Sequence, residues 1–307
     1  MTYVQAHGKL FKNKEMNKMY LAENHRYWME INLPFPAILA RQSYDANYIA
    51  NLKKTQPSKK LIFIHFEEPL KNSQPAEDVI RDAHLFDFIF TSDNKIVRSV
   101  PNAHWAPLAE CWTNGSMPSM GRDRTSEAKE KNFSVSFLNT SKSHRGGTYA
   151  IRQYIADNVN KIKIPTSLFE SNEHPSGSAW QILPQGNKFQ TSDKIPLYKS
   201  MFNICPENFW DGDDNNFSQR LIDCFINRTI PIYKGYKNIH EHFNVEGMIL
   251  INDGEDAINK INQLTPDYYN ERLTAIEDNY NRCIQHEYNL APGQRIANKI
   301  MKLIKNK

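Results

Sequence analysis

Beyond residue 60 the chain alternates between short unbroken apolar runs and longer stretches that carry an apolar stripe. Leu61 to Phe66 (LIFIHF) is apolar almost throughout and of strand length, which fits a strand covered on both faces of a parallel sheet. Ala76 to Phe86 sets Val79, Ile80 and Leu85 on one side and predicts a helix. FDFIFTSD (Phe86 to Asp93) predicts a second strand, NKIVRSV a short helix ending before Pro101, and HWAPLA a third strand. This rhythm is the βαβ pattern of an α/β domain with a parallel sheet. Residues 1–60 mix aromatic and polar side chains without a clean period and predict no element.

A composition break follows. Asn114 to Asn132 trades apolar residues for Gly, Ser, Pro and charge, as a linker or exposed loop does. A second α/β series then begins. FSVSFLN (Phe133 to Asn139) predicts a strand, Arg145 to Asn158 a helix, and KIKIPTSLF another strand. FNICPE, TIPIYKG and MILIND predict strands, with the helix SQRLIDCFIN between the first two. EDAINKINQL and YYNERLTAIEDNYNRCIQ predict helices parted at Thr265-Pro266. In the tail, Ile296, Ile300, Leu303 and Ile304 share one face of a basic helix that Pro292 opens. The expected organisation is a first α/β domain over 1–115, a linker over 116–132, a second α/β domain over 133–290 and a terminal amphipathic helix over 291–307. That helix is expected to dock on the protein's own surface, the first domain included, in preference to an anionic membrane.

Composition narrows the class. Apolar residues make up 40% and charged residues 23% of the 307, within the globular range, so wholesale disorder is excluded. A net charge of +4 is too small to argue for nucleic acid by itself. The four cysteines (Cys111, Cys205, Cys224, Cys283) form no CxxC pair and no disulfide framework, and read as buried, reduced thiols. The N-terminus has no apolar signal core, and no window reaches the ~20 apolar residues of a spanning helix, so a cytoplasmic location is expected. The sequence leaves oligomeric state open.

Tyr198 to Asn244 is the segment richest in chemistry. It reads strand, polar loop, helix, strand, and its loop leaves a strand's C-terminal end for a helix N-terminus, where open α/β sheets bind ligands and phosphates find backbone N–H groups. Ser218 is a good N-cap. Arg220 puts a cation in the first turn, where the helix dipole disfavours it. Either an anionic ligand offsets that charge, or Arg220 is solvated or paired with Asp223. In DGDDNN, Asp211, Asp213 and Asp214 invite a metal, but the EF-hand spacing is not completed and an acidic turn is the simpler account. His240 and His242 (IHEH) lack a metalloprotease spacing. His65 on LIFIHF reads as a core histidine.

Tyr198-Lys199, Phe202-Asn203-Ile204, Glu207-Asn208, Leu221-Ile222-Asp223, Thr229-Ile230-Pro231-Ile232-Tyr233, Gly235 and Asn238-Ile239 follow one another in order. In this the segment resembles the donor-site motif of the family-10 glycosyltransferases, the α-1,3/4-fucosyltransferases, in particular short unanchored members of bacteria and viruses. FDFIFTSDNKIV and FSVSFLNTSKSHRGG are similar too, so the resemblance spans roughly residues 60 to 285. It implies a GT-B fold, two Rossmann-like domains facing a cleft. It also implies inverting transfer from a nucleoside-diphosphate sugar such as GDP-fucose to a hydroxyl of a glycan acceptor, with no required divalent metal and no tightly bound cofactor. Carried over by position, Arg145 contacts the diphosphate, Asn208 is a donor-binding asparagine, and Ser218, Gln219 and Arg220 stand at a Thr-Glu-Lys triplet that holds ribose and phosphates. Tyr198, Lys199, Asn203, Glu207 and Asp223 complete the implied donor-binding set.

The chain departs from the pattern at Gln219 and Arg220, and Lys234 stands at a usual Trp. Arg keeps the charge and adds a fork suited to phosphate. The family base is a Glu after a strand of the first domain. Here Glu67 and Glu68 follow LIFIHF, and Glu68, which precedes Pro69, is the first choice, with Glu67 second. Three other readings stay open: an exostosin-like UDP-sugar transferase, a viral enzyme that glycosylates a modified DNA base, and a degenerate GT-B domain that only binds.

Overall fold

The computed structural model describes residues 5–7, 33, 35, 37–41, 44–65, 74–107, 109–114, 123–139, 148–170, 181–182, 194–207 and 216–305. The chain divides into two compact units, Met1–Leu108 with Leu290–Lys307, and Ala109–Asn289.

Unit 1 is built on a parallel five-stranded sheet. Its strands are β1 (Gln5–His7), β2 (Ala37–Arg41), β3 (Lys60–His65), β4 (Phe88–Thr91) and β5 (Ala103–Trp105), and they lie side by side in chain order. Between them run α1 (Ala46–Thr55), α2 (Ala76–Asp82) and α3 (Asn94–Ser99). Crossovers that all step the same way, each right-handed, put their helices on one face of a sheet. That face holds Ile38, Ala40, Leu61, Phe63 and Ile89 against Ile49, Leu52, Val79 and Ile96 of the helices. The opposite face carries the alternate residues Leu39, Ile62, Ile64, Phe88 and Phe90, and needs a separate cover. The chain's last helix, α10 in the order of the whole chain (Pro292–Lys305), supplies it with Ile296, Ala297 and Ile300. Arg295 and Lys299 tie α10 down through the carbonyls of Pro107 and Trp105. Ile296 and Ile300 of the apolar stripe are therefore buried within the protein, Leu303 is partly buried, and Ile304 stays exposed.

β2 and α1 arise in the stretch where the sequence predicts nothing. Only Ile49 and Leu52 of α1 are buried, too few to make a period, and its start is fixed by Asp45, whose carboxylate accepts the Tyr48 N–H at 2.9 Å. His65 is buried at the end of β3, its Nδ1 3.3 Å from the Thr91 hydroxyl, and burial lowers its pKa.

Unit 2 has a parallel six-stranded sheet of β6 (Asn132–Asn139), β7 (Thr166–Glu170), β8 (Gln181–Ile182), β9 (Ser200–Ile204), β10 (Ile230–Tyr233) and β11 (Ile249–Leu250). Their order is β11-β10-β9-β6-β7-β8. The chain thus steps outward from β6 to β8, returns to the other side of β6, and steps outward again. The helices are α4 (Thr148–Asp157), α5 (Ile195–Tyr198), α6 (Gln219–Ile226), α7 (Gly254–Ile261), α8 (Pro266–Asn270) and α9 (Leu273–Gln285). Val135, Phe137, Phe202, Ile204, Ile230 and Ile232 form the centre of the core with Ile155 of α4 and Ile258 and Ile261 of α7. The helix expected to run on from Thr265-Pro266 is interrupted at Arg272, whose guanidinium stacks 3.5 Å over the Tyr268 ring and donates to the Tyr268 carbonyl.

The division between units falls after Leu108, ahead of the composition break. Residues 110–113 lie with unit 2 because the buried Asp223 carboxylate accepts the Trp112 N–H at 2.7 Å and also meets Cys111 Sγ and Thr113 Oγ1. The described part of the polar stretch belongs to unit 2 as well. Ala128 is buried, and Lys131 donates to the Tyr198 carbonyl and, at 3.0 Å, to Thr229 Oγ1.

Candidate functional site

Where a doubly wound sheet reverses its stepping direction, the loops at the strands' carboxyl ends part and leave a crevice, the usual ligand site of such folds. In unit 2 that point lies between β6 and β9. A recess opens there. It is lined by Leu138 on β6, Asn203 and Ile204 on β9, Pro206, Arg152 of α4, Arg220 of α6, and Lys194, Leu197 and Tyr198 at and in α5.

Glu207 organises the loop after β9. Its N–H donates to the Lys234 carbonyl at 2.8 Å, and its carbonyl accepts the Thr148 hydroxyl at the head of α4. Its carboxylate, in a residue only 1% exposed, accepts the Ser218 N–H at 2.7 Å and the Ser218 hydroxyl. Burial pushes the Glu207 carboxyl up, against the pull of Arg220 and of the Ser218 hydrogen bonds. Ser218 in turn caps α6, accepting from the Arg220 N–H. Gly235 is required by this packing, since a Cβ there would stand 2.6 Å from Glu207 Cγ and 2.4 Å from Tyr233 Oη.

Arg220 does not pair with Asp223. Its Nη1 sits 3.8 Å from Glu207 and 3.5 Å from Ser218 Oγ, and the side chain keeps 24% of its surface open. Arg152 lies deeper, 4% exposed, with Nη2 donating to the Leu138 carbonyl at 2.8 Å. Burial and the nearby Arg220 charge both lower the Arg152 pKa. Two guanidinium groups therefore share one recess and oppose each other's charge. Gln219 presents a buried amide oxygen that has no hydrogen-bond donor among the described residues.

Glu207, Ser218, Gln219 and Arg220 thus gather at the head of α6, beside the recess. Tyr198 and Asn203 line the recess but are committed to internal bonds. Tyr198 Oη donates to Asp223 at 3.5 Å, and Asn203 Nδ2 donates to Ser136 Oγ at 2.8 Å. Asp223 is fully buried and clamps the 111–113 segment. Lys199 is exposed and sits at the amino end of β9, the sheet edge away from the crevice. Arg145 and Asn208 lie outside the described residues, as do Glu67, Glu68 and the acidic run at 211–214. Of the histidine pair, His240 is exposed, while His242 packs among Phe217, Tyr236 and Tyr288, where burial lowers its pKa to about 4. All four cysteines are buried and unbridged.

Sequence reasoning missed two cations of the recess, Arg152 and Lys194. Arg152 had a signal, because Tyr149, Arg152 and Ile155 recur at helical spacing and all three are buried, which places a charge within an apolar stripe. Lys194 stands in a polar stretch and had none.

No protein-family model matches this chain, and no curated protein matches its sequence. Solved structures do match. Sucrose-phosphate synthase from Thermosynechococcus elongatus superposes with a TM-score of 0.55 at 11% identity, over 95% of this chain and 76% of that one. An α,α-trehalose-phosphate synthase (UDP-forming) from Burkholderia vietnamiensis gives 0.53 at 10% identity, over 92% and 77%. An α1,3-fucosyltransferase with GDP superposes with a TM-score of 0.49 at 15% identity, over 89% of this chain and 81% of that one. At these identities the matches speak for the fold alone, which is the GT-B architecture of two Rossmann-like domains. Among the described residues no helix is long and apolar enough to cross a membrane.

Proposed function

We propose that the chain is a glycosyltransferase whose unit 2 crevice holds the diphosphate of a sugar nucleotide. One observation carries this reading: Arg152 and Arg220 share the switch-point recess and oppose each other's charge. A charge opposition within a fold is costly unless something offsets it. Among the described residues Glu207 is the one carboxylate that acts on both, at 3.8 Å from Arg220. A diphosphate brings negative charge to both guanidinium groups, and the nearby N-terminus of α6 favours it there. The GT-B fold supports the same class of ligand.

The motif resemblance favours a GDP-sugar such as GDP-fucose. A UDP-sugar is the second reading, favoured by the UDP-forming synthase among the structures that share the fold. Thermal-shift measurement against GDP, UDP, CDP and ADP, then against the matching sugar nucleotides, separates the two. GDP at about one hundred times its Kd is expected to stabilise the protein by about 2.7 kcal/mol, a rise in Tm on the order of 5 °C. A shift with UDP alone overturns the GDP assignment, and no shift with any of the four overturns the function.

For the transfer itself, the acceptor hydroxyl oxygen attacks the anomeric carbon as the bond to the diphosphate oxygen breaks. The hydroxyl proton passes to a carboxylate, for which Glu68 is the first choice and Glu67 the second. Attack from the face opposite the leaving group inverts the anomeric configuration. Glu68→Gln is expected to leave nucleotide affinity unchanged and to lower turnover by about 10² to 10⁴-fold. Normal transfer by Glu68→Gln in a single-turnover assay removes Glu68 from this role.

A further inference from the structure

We propose that Lys194 is a third cation of the unit 2 crevice, that its ammonium contacts the bound diphosphate, and that the crevice takes up a proton as it fills. The inference rests on the nucleotide-binding reading and adds a residue to which the motif resemblance assigns no role.

Lys194 stands at the head of α5 and lines the same recess as Arg152 and Arg220. Its Nζ lies 4.0 Å from the centre of the Trp112 ring. No hydrogen-bond or ion-pair partner meets this ammonium among the described residues, so its three donors remain available to a ligand. The indole face holds the cation without using those donors. Trp112 is itself fixed, because its backbone N–H is bound by Asp223.

The electrostatics follow from the same placement. The charged and titratable groups around Lys194 are Arg220 and Asp223 on α6, Glu110 on the segment entering unit 2, and Cys205 after β9. Arg152 of α4 and Tyr198 of its own helix line the recess with it. Burial lowers the Lys194 pKa to about 8. Asp223 is the largest influence after burial and pulls it up, Arg220 pushes it down, and Glu110 and Cys205 pull it up. The unfilled crevice therefore releases this proton as the pH rises through about 8, while a diphosphate against Nζ holds it in place. Affinity is highest below that pH and falls about tenfold between pH 7 and pH 9.

The test uses GDP and the full chain. Calorimetric titrations at pH 8 in two buffers of different ionisation enthalpy are expected to show uptake of about half a proton per GDP bound by the wild type. Lys194→Arg keeps a permanent charge and is expected to bind GDP with no proton uptake. Lys194→Met is expected to bind about tenfold more weakly at pH 7, with an affinity independent of pH from 7 to 9. Wild-type binding without proton uptake overturns the inference, and so does uptake that persists in Lys194→Arg. Failure of GDP, UDP, CDP and ADP alike to bind the wild type overturns the underlying reading instead, so the two failures are told apart. The wild-type measurement and the Lys194→Arg comparison decide the matter even if Lys194→Met does not fold.

Discussion

Arg220→Ala weakens GDP binding on the order of 100-fold or more and leaves the melting temperature of the unliganded protein nearly unchanged. The two halves of this expectation have separate causes. Arg220 reaches into the recess with a quarter of its surface open, and its contacts at 3.5 and 3.8 Å are too long to hold the fold. Removing it leaves the Glu207 carboxylate still bound by two donors of Ser218, and it relieves the opposition to Arg152. Little stability is lost. A bound phosphate, by contrast, loses a charge-assisted partner in a low-dielectric crevice, a loss of roughly 2–5 kcal/mol. Calorimetric titration with GDP and a thermal melt of the same sample measure both quantities. An unchanged affinity would remove Arg220 from the site.

Asp223→Ala has the opposite profile and costs stability first. Its carboxylate is fully buried, accepts the Trp112 N–H and the Tyr198 hydroxyl, and is the main opposite charge near Lys194. Deleting it leaves a part-buried N–H without its acceptor and Lys194 without that charge, so a loss of about 3–5 kcal/mol is expected. For a domain the size of unit 2 that is a fall in Tm on the order of 10 °C. Asp223→Asn keeps the acceptor but not the charge, and should fall between the two. A melting curve of Asp223→Ala that overlays the wild type would refute the clamp.

Both expectations begin from residues that the motif resemblance assigned to one donor-binding set, and the structure separates them by chemistry. Periodicity and end signals made the elements legible. The unbroken run of β3, the Ser218 cap before α6 and the Thr265-Pro266 boundary were each readable because the cause is local. The gathering of Ser218 and Arg220 about Glu207 was less so. Glu207 connects the head of α4, the end of β10 and the cap of α6, and no spacing along a sequence reports a junction of three elements. β2 and α1 were illegible for another reason. α1 buries two side chains on one flank, and an amphipathic signal needs more than two points. The break between units was misplaced because glycine and serine mark polarity, whereas the Asp223 clamp that fixes residues 110–113 lies 110 positions away. Lys194 has no sequence signal because its environment comes entirely from other parts of unit 2.

The last helix has a consequence for synthesis. Unit 2 is one continuous stretch of chain and can complete its core as soon as it has emerged from the ribosome. Unit 1 is begun first, but Ile296, Ala297 and Ile300 are made only after the whole of unit 2, and until they arrive Leu39, Ile62, Ile64, Phe88 and Phe90 lack their cover. Vectorial folding is thus reversed, with the earlier half finishing later. During that interval the incomplete face is the surface on which a chaperone would act.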